Sequence, residues 1–308
     1  MYDLIIVGSG PAGLTASVYA SRYKLKHLVI GKLLGGTITW AHKVENFPGF
    51  KEISGFELGQ KMAEQAKSLG AEIWSENVQK ILVGPGNPST FKIVTETNKE
   101  IESRTVLVAT GTERRKLNIP GEKEFLGKGV SYCTTCDAAF FKDKTVVLVG
   151  GSNAACSGAS HLAQFARKVY LIYRKDELRA EPIWVDEVKN NPKVVIVYNT
   201  NVTEIFGNGT KLTGVRLDKP FEGKNEIEAE GVFIEIGGLP VRSLLATLGV
   251  EMDENGYVKV NEKMETNIRG LFAAGDLTTH GQVMSQAIVA AADGAVAAGS
   301  VYKFLKEK

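Results

Sequence analysis

Cys133-Thr134-Thr135-Cys136-Asp137 is the segment whose residue types could do chemistry most directly. Two thiols with two residues between them in a helical turn can close a disulfide. Such spacing also lowers thiol pKa values and favours the thiolate nucleophile. Asp137, next door, could shuttle the proton that thiol exchange must move. A zinc site needs four ligands. The remaining cysteine is Cys156, and His27, His42, His161 and His280 show no paired spacing. No metal is expected, and a pair of inert core cysteines stays open as the alternative. Cys156 reads as a buried small hydrophobe.

A second kind of chemistry is written in glycine. Gly8-Ser9-Gly10-Pro11-Ala12-Gly13 follows the apolar run 4–7 and leads into an apolar-rich helical stretch, after which His27–Ile30 reads as a strand. This strand–turn–helix–strand order is the context a dinucleotide fingerprint requires. Backbone N–H groups and a helix N-terminus would meet a pyrophosphate there. Gly10 would let the phosphate approach, and Gly13 would let the helix pack closely on the strand. An acid usually holds the ribose where the second strand ends, but Gly31 and Lys32 stand there. The order recurs from Thr145–Val149 through Gly150-Gly151-Ser152-Asn153-Ala154-Ala155, a helix over 158–166 and a strand over 169–173. Ser152 occupies the place of the second glycine. The run Tyr173-Arg174-Lys175-Asp176-Glu177-Leu178-Arg179 follows, and its basic groups would suit a 2′-phosphate, favouring NADP over NAD. A solvated, salt-bridged loop is the alternative. Gly275-Asp276 opens the last loop before a small-residue helix over 286–300. A helix N-terminus there would favour negative charge on a bound ring system such as a reduced flavin.

These motifs need scaffolds, and 308 residues suffice for about two domains. Apolar residues at 44% and charged residues at 23% exclude wholesale disorder. The net charge of +2 gives no reason to expect a nucleic-acid partner or a polybasic membrane anchor. The first residues lack a basic region and a long apolar run of the secretory kind. Stretch 287–299 is broken by Asp293 and reads as too short to span a bilayer, so no membrane is expected and the cytoplasm is the default. In that compartment a vicinal cysteine pair is expected to be catalytic rather than structural. Val106-Leu107-Val108-Ala109-Thr110-Gly111 reads as a buried strand ending in a turn, with a charged hinge at Glu113-Arg114-Arg115-Lys116. The expected fold is α/β, with two Rossmann-like (three-layer ββα) dinucleotide-binding domains, the second inserted into the first. The first would comprise 1–113 and 242–308; the second, 114–241, would carry the cysteines. Polar stretches 84–89 and 207–209 read as hairpin turns.

Together these parts resemble the low-molecular-weight thioredoxin reductases, a family of dimeric FAD enzymes. The resemblance runs nearly the whole chain. It takes in the first glycine turn, Gly35-Gly36, Glu45-Asn46-Phe47-Pro48-Gly49, Ala109-Thr110-Gly111 and Ile119-Pro120-Gly121-Glu122. It continues through Gly129-Val130-Ser131-Tyr132 with the cysteine segment, the second glycine turn, Arg174-Lys175 with Arg179, and Phe272-Ala273-Ala274-Gly275-Asp276. It implies FAD bound by Gly8, Gly10, Pro11, Ala12, Gly13, Gly36, Thr37, Asn46, Ala109, Thr110, Gly111, Gly275, Asp276, Gln286 and Ala287. It implies NADPH bound by Gly151, Asn153, Ala154, Arg174, Lys175 and Arg179. In the family, hydride passes from the nicotinamide to FAD and electrons pass on to the disulfide. The cysteine at position 136 faces the flavin, that at 133 attacks the substrate disulfide, and Asp137 is the acid/base. The implied substrate is thioredoxin or a glutaredoxin-like protein, the implied assembly is a homodimer, and a domain rotation must expose the pair.

Departures from the family pattern are Ser152, Tyr173 and Lys175, Thr37 for a glutamine, and Met284-Ser285-Gln286 without its arginine. Trp40 and His42 replace small polar residues, and Trp40 could lie over the flavin face a nicotinamide would use. The residues also leave open a ferredoxin or NADH donor, a dithiol oxidase and a redox-sensing flavoprotein.

Overall fold

A computed structural model describes residues 1–84 and 90–307. Its backbone divides into two compact units, Met1–Glu113 with Leu239–Lys308, and Arg114–Gly238. The first begins with β1 (Tyr2–Val7), α1 (Pro11–Arg22), β2 (His27–Ile30), a 3-10 turn at Gly36–Trp40, and α2 (Gly55–Ser68). It continues through β3 (Glu72–Trp74), β4 (Val78–Val83), β5 (Phe91–Thr95) and β6 (Glu100–Val108) to β7 (Thr112–Arg114). The sheet order is β3-β2-β1-β6-β5-β4. β1 pairs parallel with β2 and β6, whereas β5 pairs antiparallel with β4 and β6. The turn expected between β4 and β5 falls at 85–89, outside the described residues.

The second unit runs β8 (Val130–Ser131), α3 (Thr134–Asp137), β9 (Thr145–Val149), α4 (Asn153–Phe165), β10 (Lys168–Ile172), α5 (Pro182–Asn190) and β11 (Val194–Val197). It ends with β12 (Val202–Gly207), β13 (Leu212–Phe221), β14 (Lys224–Glu228) and β15 (Gly231–Ile234). Strands in the order β11-β10-β9-β15-β8 make a parallel sheet, and β12-β13-β14 an antiparallel one. At the expected hairpin, the Asn208 Oδ1 accepts the N–H groups of Thr210 and Lys211.

After β16 (Gly238–Pro240) the chain completes the first unit with β17 (Leu271–Ala273), α6 (Thr279–Val283) and α7 (Ala287–Lys306). β17 adds parallel to β6. Leu4 to Val7 of β1 are all buried, as expected of a parallel strand covered on both faces. Successive side chains leave a strand on opposite faces. Ile5 and Val7 therefore pack with Leu245 and Val258, while Leu4 and Ile6 pack with Ala16 and Ala20 of α1 and Ala297 and Ala298 of α7. Small residues let α1 and α7 close up: a Cβ at Gly294 would lie 2.0 Å from the Ala12 carbonyl oxygen. The structure corrects the expected length of this last helix. α7 runs to Lys306 and, by length and composition alone, is long and apolar enough to cross a membrane. Its Ala297, Ala298 and Val301 are fully buried against α1 and β1, so it serves as a core helix.

Candidate active site

β8 delivers the chain to the cysteine pair. Ser131, its last residue, is buried; its hydroxyl accepts the Cys133 N–H at 3.0 Å and donates to Asp137 Oδ2 at 2.6 Å. Cys133 then caps α3, and its Sγ accepts the N–H of Cys136 at 3.1 Å. Cys133 and Cys136 are disulfide-bonded, with their Cα atoms 5.3 Å apart. Cys133 is half-buried and Cys136 exposed. Ser131 thus fixes both the first cysteine and the acid, a role the sequence motif signalled only by position.

Glu122 steadies the pair from the other side of Tyr132. It is buried and accepts the N–H groups of Leu117 and Asn118 and the Tyr132 hydroxyl, the last at 2.6 Å. Burial, reinforced by the Glu122 carboxylate, raises the Tyr132 pKa, so the phenol stays a donor. Cys156 on α4 is fully buried, and burial pushes its thiol up to about 12. It is a neutral packing group. Among the described residues no cluster of His, Cys, Asp and Glu is arranged to hold a metal ion.

In the same unit the second glycine turn joins β9 to α4. Gly151 lies beneath the buried ring of Tyr173; a Cβ there would come within 2.5 Å of ring atoms. The Gly151 carbonyl accepts the N–H of Arg179 at 2.8 Å, and Asn153 Oδ1 accepts that of Glu181 at 2.7 Å. This ties the turn to the loop after β10. Ala154, Arg174, Lys175 and Arg179 are exposed around it.

In the first unit the β1–α1 turn opens into a cleft of ≈ 620 Å³, within the usual range of small-molecule sites. Gly8, Gly10, Pro11 and Ala12 line it, and so do Gly36 and Thr37 from the 3-10 turn. Ala109, Thr110 and Gly111 enter from the end of β6, and Gly275, Asp276, Gln286 and Ala287 from the segment after β17. Gly13 lies beneath the lining; a Cβ there would sit 1.9 Å from the Gly8 carbonyl oxygen. Asn46 reaches the site through Gln286, donating to its Oε1 at 3.0 Å. Trp40 and His42 are half-buried beside the turn and are not among the lining residues. Lining residues that the sequence analysis did not single out include Glu76, Asn77, Gln79 and Ser243. The polar break after β3 was the available signal for the first two.

A dinucleotide fits what is present. Gly10 caps α1 without a side-chain bond, leaving first-turn N–H groups for phosphate oxygens. Gly36 approaches so closely that a Cβ on it would lie 2.7 Å from the Gly10 Cα. At the far end, burial and then the nearby Asp293 charge raise the Asp276 carboxyl to about 6, against a hydrogen bond from Ser285. Asp293 accepts the Gly275 N–H at 3.2 Å and faces His280 Nδ1 at 3.4 Å.

Comparison with known proteins agrees with this geometry. The family model described as pyridine nucleotide-disulphide oxidoreductase matches residues 2–294. A thioredoxin reductase of Bacillus subtilis is 41% identical over 309 residues, covering 100% of this chain and 96% of that one. The crystal structure of Lactococcus lactis thioredoxin reductase, in its FR conformation, superposes with a TM-score of 0.94 at 36% identity over 100% of both chains. The crystal structure of T. acidophilum thioredoxin reductase gives a TM-score of 0.91 at 36% identity over 98% of each chain.

Proposed function

Because this chain belongs to the pyridine nucleotide-disulphide oxidoreductases, and among them to the low-molecular-weight thioredoxin reductases, we propose that it carries electrons from NADPH through FAD and the Cys133–Cys136 disulfide to thioredoxin or a glutaredoxin-like protein. The observation that carries the reading is the disulfide itself, set beside Asp137. Flavin and nicotinamide use follows from the family. Unit Met1–Glu113 with Leu239–Lys308 is assigned FAD, and unit Arg114–Gly238 is assigned NADPH. The cytoplasm and a homodimeric assembly complete the reading.

The residues that would hold FAD are Gly8, Gly10, Pro11, Ala12, Gly36, Thr37, Ala109, Thr110, Gly111, Gly275, Asp276, Gln286 and Ala287, with Gly13 and Asn46 behind them. Gly151, Asn153, Ala154, Arg174, Lys175 and Arg179 would hold NADPH, the exposed basic groups taking its 2′-phosphate. A bound flavin would supply two-electron transfer from a reduced nicotinamide to a disulfide. Two electrons and two protons open the S–S bond to two thiols. The N–H of Cys136 favours the thiolate at Cys133, since a donor at 3.1 Å stabilises the charged form. That thiolate attacks the substrate disulfide, one substrate sulfur leaves as a thiolate, and a mixed disulfide forms. Cys136 then attacks Cys133 Sγ, releasing the second substrate sulfur and restoring the internal disulfide. Asp137, oriented by Ser131, takes and returns the protons these exchanges move.

The test is an anaerobic titration with NADPH, NADH and reduced ferredoxin in parallel, following the visible flavin band and counting thiols in the parent and in Cys136→Ser. NADPH is expected to bleach the band at the lowest concentration and, in the parent, to yield two new thiols that thioredoxin disulfide re-oxidises. Bleaching by ferredoxin alone would refute the donor, and thiols that persist with thioredoxin would refute the acceptor.

A further inference from the structure

Two of the described residues that line the first unit's cleft carry carboxylates, and they flank the glycine turn. Asp276 follows β17, on the β6 side of β1; Glu76 follows β3, beyond β2 on the other side. The end of β2 is where this kind of fold places the acid that binds the adenosine ribose. Here it carries Lys32, a lining residue whose ammonium can only donate and is paired with Glu96 at 3.2 Å. Asn77 also lines the cleft, but its amide is tied to Glu96 at 3.0 Å. Glu76 differs from both. Its side chain is 15% exposed, one oxygen takes the Lys99 ammonium, and the other takes the Thr97 hydroxyl at 2.6 Å. The Lys99 hydrogen bond, and then that of Thr97, bring its carboxyl down to about 2, so it is fully ionised. A carboxylate offers about four lone-pair positions. Two donors leave room for a vicinal diol, and the two fixed bonds hold the group in one orientation.

We propose that Glu76 supplies, from the β3–β4 loop, the ribose-binding carboxylate that the end of β2 lacks, and so accepts the adenosine hydroxyls of FAD. The assignment rests on the reading of this cleft as the FAD site. A donor at Lys32 and a remote acceptor at Glu76 then share the work that one β2 acid usually does.

The full-length protein is titrated with FAD, with FMN, and with an FAD analogue lacking the adenosine 2′-hydroxyl, reading flavin fluorescence. Glu76→Gln is expected to weaken FAD at least tenfold and to leave FMN, which has no adenosine, within twofold of the parent. The double variant K32E/E76Q, which returns an acid to the end of β2, is expected to recover most of the lost FAD affinity. The parent itself should bind the deoxy analogue at least fivefold less tightly than FAD, a result that needs no variant to fold. Unchanged FAD affinity in E76Q overturns the assignment. Equal losses for FAD and FMN also overturn it, because Glu76 would then act only through its hold on Lys99 and Thr97. If the parent fails to prefer FAD over FMN, the reading of the cleft as an FAD site fails first, and that outcome is distinct from the other two.

Discussion

Ser131→Ala should separate the two halves of catalysis. The hydroxyl is buried, donates to Asp137 at 2.6 Å and accepts the Cys133 N–H at 3.0 Å, so alanine removes both bonds without changing the chain's shape. A hydrogen bond to a charged group contributes about 1.5–3 kcal/mol, and a buried donor left unpaired costs roughly 1–3 kcal/mol. A net loss of about 3 kcal/mol in stability is expected, measured by denaturant unfolding. If half of that loss falls on the exchange step, where Asp137 must present its carboxyl, dithiol exchange slows about tenfold. Stopped-flow measurement of flavin reduction by nucleotide, alongside turnover with thioredoxin, tells the steps apart. Flavin reduction should stay within twofold of the parent, while exchange slows and its pH profile changes shape. Ser131→Thr, which keeps the hydroxyl, should recover much of the rate. Equal slowing of both steps, or exchange as fast as in the parent, would refute the argument that Ser131 positions the acid.

Further outcomes follow from other sites. With the disulfide reduced, the native protein should present two thiols to an aromatic disulfide reagent within minutes and a third, Cys156, only on unfolding, because that thiol is fully buried with its pKa near 12. Gly294→Ala should destabilise the first unit by about 1–3 kcal/mol and lower its flavin content, since the new Cβ meets the Ala12 carbonyl at 2.0 Å; equal denaturation midpoints would contradict this. Asp276 binds its proton more tightly in the folded chain than in the unfolded one, where carboxyls titrate near 4. Its contribution to the stability of flavin-free protein is therefore full below about pH 4 and is lost as pH rises through about 6. Asp276→Asn should flatten that dependence in thermal unfolding between pH 4 and 7, and an unaltered slope would show that another group is responsible.

Much of the site was legible because its chemistry is local. A glycine turn between a strand and a helix reads from a dozen adjacent residues, and so does a Cys-x-x-Cys-Asp run. Strands His27–Ile30 and Thr145–Val149 fall where their apolar, β-branched runs predict. Helix ends were less legible. α7 extends to Lys306 because Val301, Phe304 and Leu305 join the cluster that holds Ala12, Ala16 and Ala20 of α1, a tertiary contact no local pattern encodes.

Sequence alone therefore determined the redox pair, the two dinucleotide turns and the α/β class, since each depends on residue types at short spacing. Only tertiary structure decided which distant groups meet them. Folding laid Tyr173 over Gly151, joined Asn46 to Gln286 and carried Glu76 to the cleft from a loop far from the glycine turn. Side chains such as these become partners because the order of strands in a sheet, not their order in the chain, sets which loops share an edge.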